Sequence, residues 1–555
     1  MPKLKKRALL LLAAIVMLPA SLCGCTGGTG HSGNDSASAQ SGELPKGRSK
    51  VPMPVKRAAL LLAVIAMLPA SLYGCTGSKG SNGNSVTVGI AQDLSNLDPQ
   101  LAKTAGIREV LFNIFEGLVK AGPDGSVIPA VASDYEISAD ATTYTFTLRE
   151  GVTFHNGNPV TIEDVVYSLE RCAGSENDGK PLVSAFSNVS RIEATDDGHV
   201  VITLAEPSLE FLNALTAAII PKDSGPTITE TMIGTGPFKF VSYAPQDSLV
   251  MEKYSGYWNQ EKAARLDKVT FKIVPDVNAM VVGLKGGTLD MVVHLPNSLE
   301  GEVKDAFTVH EDTMKLVQAL YINNAVKPFD NELVRQAMYC AIDVDQIIDF
   351  VCGGAGVPTG TSMYPAQEKY FMPELAGNYA PNVEKARELL AQAGYPDGFA
   401  MTITAPSNYA QHVDTAQVII EQLKAVGITA ELVQVEWESW VSDVYRGRDY
   451  QTTVCGISAD DMTAREMLVR YMSDNQKNFI NFQDEEFDDV LTRAMAATDE
   501  EEQVTLYKRA EEILNEKAAS LWIQDLCDLV VMKPELDGFT FYRTYVIDMS
   551  TISYK

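Results

Sequence analysis

Six histidines and eight cysteines are the side chains of this 555-residue sequence best suited to act as bases, nucleophiles or metal ligands. The histidines, His31, His155, His199, His294, His310 and His412, stand singly. No H-E-x-x-H sets two imidazoles on one helix face around a zinc ion, and no serine stands in the G-x-S-x-G turn that exposes a nucleophile. A secreted hydrolase, the rival reading from another class, therefore lacks its machinery, and the chain reads as no enzyme. Cys172, Cys340, Cys352, Cys455 and Cys527 are widely spaced, odd in number and free of C-x-x-C. They suggest neither a disulfide framework nor a zinc site; at most one or two bridges could form, and spacing does not say which. No metal and no cofactor is called for. The formal charge of −27, with no basic stripe to offset it, argues against nucleic acid as a partner.

The other three cysteines close two nearly identical phrases. Lys6–Gly27 and Lys56–Gly77 differ only at Leu9/Ala59, Ala14/Val64, Val16/Ala66 and Cys23/Tyr73, so they read as a duplication. Each sets two basic residues before an apolar run that is short of the roughly 20 residues of a membrane span but suits a secretory signal core. The ending "LYGC" resembles the bacterial lipobox, and that resemblance makes Cys75, or alternatively Cys25, the lipid-bearing terminus. The expected layout is a first signal-like segment at 1–25, a flexible polar linker at 26–55, a lipoprotein signal at 56–75 and a tether at 76–84. Met53 opens a complete leader of its own. The roughly 480 residues after Cys75 call for two or three domains.

Elements must position whatever those domains bind. "SVTVGIAQDL" from Ser85 reads as a strand, and Val110, Leu111, Ile114, Phe115 and Leu118 have the spacing of a helix face. In "TYTFTLREG", Tyr144, Phe146 and Leu148 alternate with threonines as in a half-buried strand. Asn156–Gly157 signals a turn, and Thr161 with Asp164 forms a capping box for the next helix. Leu333, Val334, Ala337, Met338 and Ala341 make one helical stripe. Gly394 ends a helix that Pro396 cannot continue, and "TAQVIIEQLKAVGITAELVQVEW" repeats the plan of helix, Gly427 and strand. A last helix precedes the strand "SLWIQ". Alternating helices and strands argue for α/β layers.

The order of phrases resembles the large extracellular solute-binding proteins of peptide and nickel ABC importers, family 5. "NLDPQLAKTAG", "NIFEGLVKAGPDG", "TYTFTLREGVTFHNGNPVTIEDVVYSLER", "GTGPFKFVSY", "GYW", "PFDNELVRQAMYCAID" and "ARELLAQAGYPDGF" follow the family's order from about Ser85 to the C-terminus. The resemblance implies an α/β, two-lobed clamp of the periplasmic-binding-protein type, in its large form. Lobe I would comprise 85–320, with an inserted subdomain, and 525–555; lobe II would comprise 321–524. Two chain crossings, near "LYINN" and "LWIQD", would form the hinge, and closure would trap the ligand.

By the same resemblance, "GISADD" occupies the place of a Gly-Trp-x-x-Asp phrase whose carboxylate holds a peptide's amino group. That puts Asp460 forward as the amine clamp, with Gly456 and Ser458 beside it and Ile457 where the tryptophan would stand. The segment "TAPSNYAQHVDTAQ" lacks the arginine of short-peptide binders, which points to oligopeptides over strict dipeptides, with Tyr409 and His412 at the ligand's far end. Thr104, Ala105 and Gly106 match a stretch that faces the cleft. Trp437 and Trp440 are an aromatic platform or, more simply, core. Arg465 and Arg470 could supply the missing cation or pair with neighbouring glutamates. The implied partners are a peptide, an ABC permease and its ATPase, and the membrane through the lipid anchor, with the protein a monomer at the extracellular face. A nickel-chelate receptor of the same family is the alternative, resting on His412.

Overall fold

The computed structural model describes residues 84–94, 96–102, 104–458 and 463–555, all within the unit Lys79–Lys555. The leader copies, Cys25, Cys75 and Asp460 lie outside the described residues, as does the side chain of Ala105.

Two large sheets carry the architecture. Ser85–Ile90 lies at the centre of a seven-stranded sheet, in parallel register with Lys268–Ile273 on one side and Met291–Leu295 on the other. Ser248–Lys253 and Phe238–Ala244 continue it past Lys268–Ile273; Cys527–Met532 and Thr308–Thr313 complete it beyond Met291–Leu295. The second sheet has six strands in the order Val357–Pro358, Leu521–Asp525, Val317–Ile322, Thr452–Ile457, Ala400–Pro406 and Thr429–Val435. Its strands Val317–Ile322 and Leu521–Asp525 are buried at every residue, so both faces are covered and the polar Gln318, Gln524 and Asp525 are enclosed with their apolar neighbours. A four-stranded antiparallel sheet stands apart, built from Ala132–Ile137, Thr143–Leu148, His199–Leu204 and Val189–Ala194. Tyr144 and Phe146 alternate into its core, with the helix Ile162–Cys172 packed beside them.

Among the described residues the chain passes between the large sheets twice. It leaves Thr313 to enter Val317–Ile322, and it returns through Leu526. The two passages are joined: the Met314 N–H donates to the Leu526 carbonyl at 2.7 Å, and the Leu316 N–H to Asp525 Oδ1 at 3.1 Å. The first passage thus falls at Met314–Leu316, a few residues before the boundary expected at Leu320, because Val317–Ile322 belongs whole to the six-stranded sheet.

Local signals act as their chemistry dictates. Thr161 N donates to Asp164 Oδ2 at 2.8 Å and Asp164 N to Thr161 Oγ1 at 3.3 Å, closing the capping box. The helix Val383–Gln392 ends before Gly394, whose φ of +91° is open to glycine at little cost. One expectation is corrected. The helix expected to run through Leu118 spans only Ala105–Leu111. Ile114, Phe115 and Leu118 are nevertheless buried. Past Leu111 the ladder gives way to other partners: the Asn113 and Ile114 carbonyls accept from Phe238 N at 3.0 Å and Gly236 N at 2.9 Å, while Asn113 Nδ2 donates to the Glu109 and Val110 carbonyls at 3.2 and 3.3 Å and to that of Ile547 at 2.8 Å, and its Oδ1 accepts from Met549 N at 2.8 Å.

Candidate functional site

A cavity of about 890 Å³ opens between the bodies built on the two large sheets, within the range of small-ligand sites. Pro99 and Gln100 follow the first strand, and Arg108 and Phe112 come from the first helix and its end. Lys120, Glu210, Tyr370, Glu466 and the run Arg543–Val546 complete a wall of mixed charge with aromatic faces. Lys120 is held by Glu116 Oε1 at 3.1 Å and lies 4.8 Å from the centre of the Phe112 ring. Contacts close the gap around it. Tyr507 Oη donates to Glu210 Oε2 at 2.6 Å, Arg465 N to Glu210 Oε1 at 3.3 Å, and Gln92 Nε2 to Tyr409 Oη at 2.8 Å; Arg543 pairs with Glu368.

Of the residues singled out in the sequence for binding, none that is described lines this cavity. Thr104 is exposed at the start of the first helix and makes no side-chain cap. A Cβ on Gly106 would meet Gln92 Oε1 at an ordinary 3.7 Å, so close backbone approach does not demand glycine there. Tyr409 shares the same Gln92, which joins Gly106 and Tyr409 in one neighbourhood. At Gly456 the space is tighter: a Cβ would stand 2.5 Å from Leu316 Cδ1 and 3.3 Å from His412 Cε1, so the Leu316 side chain would have to turn aside. Ser458 is half-buried, and its carbonyl accepts from Arg470 Nη2 at 3.4 Å. Thr463, three residues beyond Asp460, is on the cavity wall.

His412 is a buried bracket. Gly456 N donates to its Nε2 at 3.2 Å, and the Gln318 amide meets its Nδ1 at 2.9 Å, so both ring nitrogens are taken by the protein. A metal chelate would find neither nitrogen available. Trp437 stacks on the buried Trp440 at 5.2 Å with rings 6° apart, and Tyr409 meets Trp437 edge-on, so the aromatic pair is packed against protein. Arg470 is buried beside Glu466, 3.9 Å away.

Burial pushes the His412 imidazole down to about 3, and that of His155 down to about 4. An unfolded histidine titrates near 6.5, so between these values the folded chain holds fewer protons. The stability given by both rings is complete above pH 6.5 and is lost as pH falls. His294 works in the opposite sense. Burial opposes its charge, but Asp528 at 3.0 Å and Glu109 at 2.7 Å outweigh it and hold the imidazole well above its ordinary value. Its contribution is complete below pH 6.5 and lost as pH rises through the raised value. The melting temperature is therefore expected to fall on acidification below pH 6.5, and less steeply in His412→Gln; a pH series of thermal melts checks this.

Sequence reasoning missed Arg543 and Glu210. The only signal for Arg543 was a cation set among aromatics in "FYRTY", and Glu210 carried none.

Comparison with known proteins follows the same lines. The profile described as bacterial extracellular solute-binding proteins, family 5 Middle, matches residues 126–479. The chain is 29% identical over 479 residues to the glutathione-binding protein GsiB of Salmonella typhi, covering 82% of this chain and 91% of that protein. It is 26% identical over 490 residues to the dipeptide-binding protein DppE of Bacillus subtilis, covering 82% and 89%. Among solved structures, the periplasmic binding protein DppA of Helicobacter pylori in complex with the peptide STSA superimposes with a TM-score of 0.73 at 25% identity, covering 85% of this chain and 98% of that one. With the family profile matching more than half its length, the chain belongs to the family 5 bacterial extracellular solute-binding proteins.

Proposed function

We propose that the protein is the substrate-binding component of an ABC importer, capturing peptides of several residues in the 890 Å³ cavity and passing them to a membrane permease driven by its ATPase. The reading rests on one observation above all: a cavity with carboxylates, cations and aromatic faces drawn from both bodies. Such a wall suits a ligand with charged ends and a row of peptide groups. The relatives are named for binding peptides or glutathione, not for a reaction. The bodies act as two lobes that divide at Met314–Leu316 and Leu526, with the four-stranded sheet a subdomain of the first. Asp460 holds the ligand's amino group, and Cys75 carries the lipid that tethers the protein outside the cell.

Mass spectrometry of the natively purified protein tests the reading. Peptides of several residues are expected among released ligands, with retention lost in Asp460→Ala; a metal chelate or sugar instead would overturn it. A second measurement separates two roles of Tyr409. If it acts through its bond to Gln92, Tyr409→Phe and Gln92→Ala each raise the ligand off-rate about five- to tenfold, and the double variant adds little. Additive effects would place Tyr409 on the ligand itself.

A further inference from the structure

Cys352 is the last residue of the helix Val344–Cys352, and Cys527 is the first of the strand that re-enters the seven-stranded sheet. They are 1% and 9% exposed. The Cys527 N–H donates to Cys352 Sγ at 3.5 Å, so the sulfur of one cysteine lies against the backbone of the other. Both sit in one small apolar cluster with Ile348 and Leu526, against which Met314 and Leu316 lean, so the pair lies where both passages between the sheets run. The remaining thiols are placed otherwise. Cys172 is in the core of the four-stranded sheet, Cys340 is in that of the six-stranded sheet, and Cys455 directs its hydrogen to the Gly456 carbonyl at 3.5 Å.

We infer that Cys352 and Cys527 form a disulfide in the secreted protein, a modification site that clasps the helix to the returning strand across the second passage. An extracellular protein folds in a compartment where disulfides persist. The co-reactant is a dithiol oxidant in its disulfide form. One cysteine thiolate attacks it, giving a mixed disulfide and a released thiolate; the second cysteine displaces the other half. Two S–H bonds of the protein become one S–S bond, and the co-reactant leaves with two thiols, carrying the electrons and protons. The exchange takes place as the chain folds, before the cluster closes over the pair.

The bond would span 175 positions and tie together elements of both bodies. At its other end the same helix is fixed to the six-stranded body: Asp343 N donates to Gln422 Oε1 at 3.0 Å, and Gln422 Nε2 to the Asp343 carbonyl at 3.1 Å. Oxidation therefore stiffens the ground on which the passages turn.

The test maps thiols of the full-length chain secreted by its own export route, alkylated in denaturant without reductant. Peptides carrying Cys172, Cys340 and Cys455 are expected fully labelled, with Cys352 and Cys527 found in one linked peptide pair that separates on reduction. Reduction is expected to lower the melting temperature by about 5 °C, while a Cys352→Ser/Cys527→Ser variant melts at the lower value with or without reductant. Full labelling of both cysteines, linkage to a different thiol, or linkage only after added oxidant would overturn the inference. The mapping uses the unaltered protein, so it decides even if the variant does not fold.

Discussion

Glu116→Ala is expected to cost about 3–5 kcal/mol of stability, because it removes the shared acceptor of a buried network and leaves an ammonium group without its partner. The Glu116 side chain is fully buried. Its Oε1 accepts from Tyr257 Oη at 2.7 Å and Lys120 Nζ at 3.1 Å; its Oε2 accepts from Trp258 Nε1 at 2.8 Å and Thr235 Oγ1 at 3.4 Å. Alanine would strand all four donors, two of them on large aromatic side chains that cannot turn to water. Glutamine keeps the shape and one acceptor, so Glu116→Gln should fall between, at about 1–3 kcal/mol. Urea unfolding of both variants checks the order; equal stability of wild type and Glu116→Ala would show that the network contributes nothing net.

The second large effect is expected at Arg171, where replacement by leucine should cost a further 3–5 kcal/mol or about that. Arg171 Nη2 lies 2.6 Å from Asp98 Oδ2, its Nη1 donates to Asp98 Oδ1 at 3.2 Å and to Gln100 Oε1 at 2.6 Å, and its Nε meets Glu176 Oε2 at 2.9 Å. The Asp98 and Arg171 side chains are only 6% and 7% exposed, so the fork cannot be replaced by water at little cost. This pair fastens the helix of the four-stranded sheet to the segment Pro99–Gln100 on the cavity wall, and ligand affinity should drop along with stability. A double-mutant cycle with Asp98→Asn should be strongly non-additive; additivity would mean that the two side chains act alone.

These two networks explain what was legible in the sequence. "NLDPQ" and "YSLER" are the two halves of the Asp98–Arg171 fork, while "FEG", "GTGPF" and "GYW" meet at Glu116. In this chain the charged side chain at the centre of each network has several simultaneous partners. The glycines of "GTG" belong to the same knot: a Cβ on Gly234 would stand 2.2 Å from the Ile114 carbonyl oxygen, and on Gly236 2.6 Å from that of Asn113. Strands and helices with clean periodicity were readable for a related reason, since Tyr144 and Phe146, or Ala337 and Met338, meet their core from one element. The run through Leu118 misled because apolar spacing records burial and not hydrogen bonding; the Asn113 and Ile114 carbonyls are taken by Phe238 and Gly236, more than a hundred positions away. The candidate ligand residues were less legible. His412 has the look of a contact, but its partners Gln318 and Gly456 come from strands remote in sequence. The cavity wall is assembled from short, separate segments, and no spacing rule joins Lys120 to Arg543.

The place of Cys527–Met532 in the seven-stranded sheet has a bearing on the order of events in the cell. Met291–Leu295 is made early, yet its outer edge waits for a strand synthesised more than two hundred residues later. Until that strand arrives, an apolar row of unpaired peptide groups stands open, and Thr308–Thr313 has nothing to dock on. Pairing over such separations is slow. A chain halted before Cys527 is thus a template for sticking to its neighbours, whereas one carried across the membrane still unfolded can close the sheet in a single step on the far side.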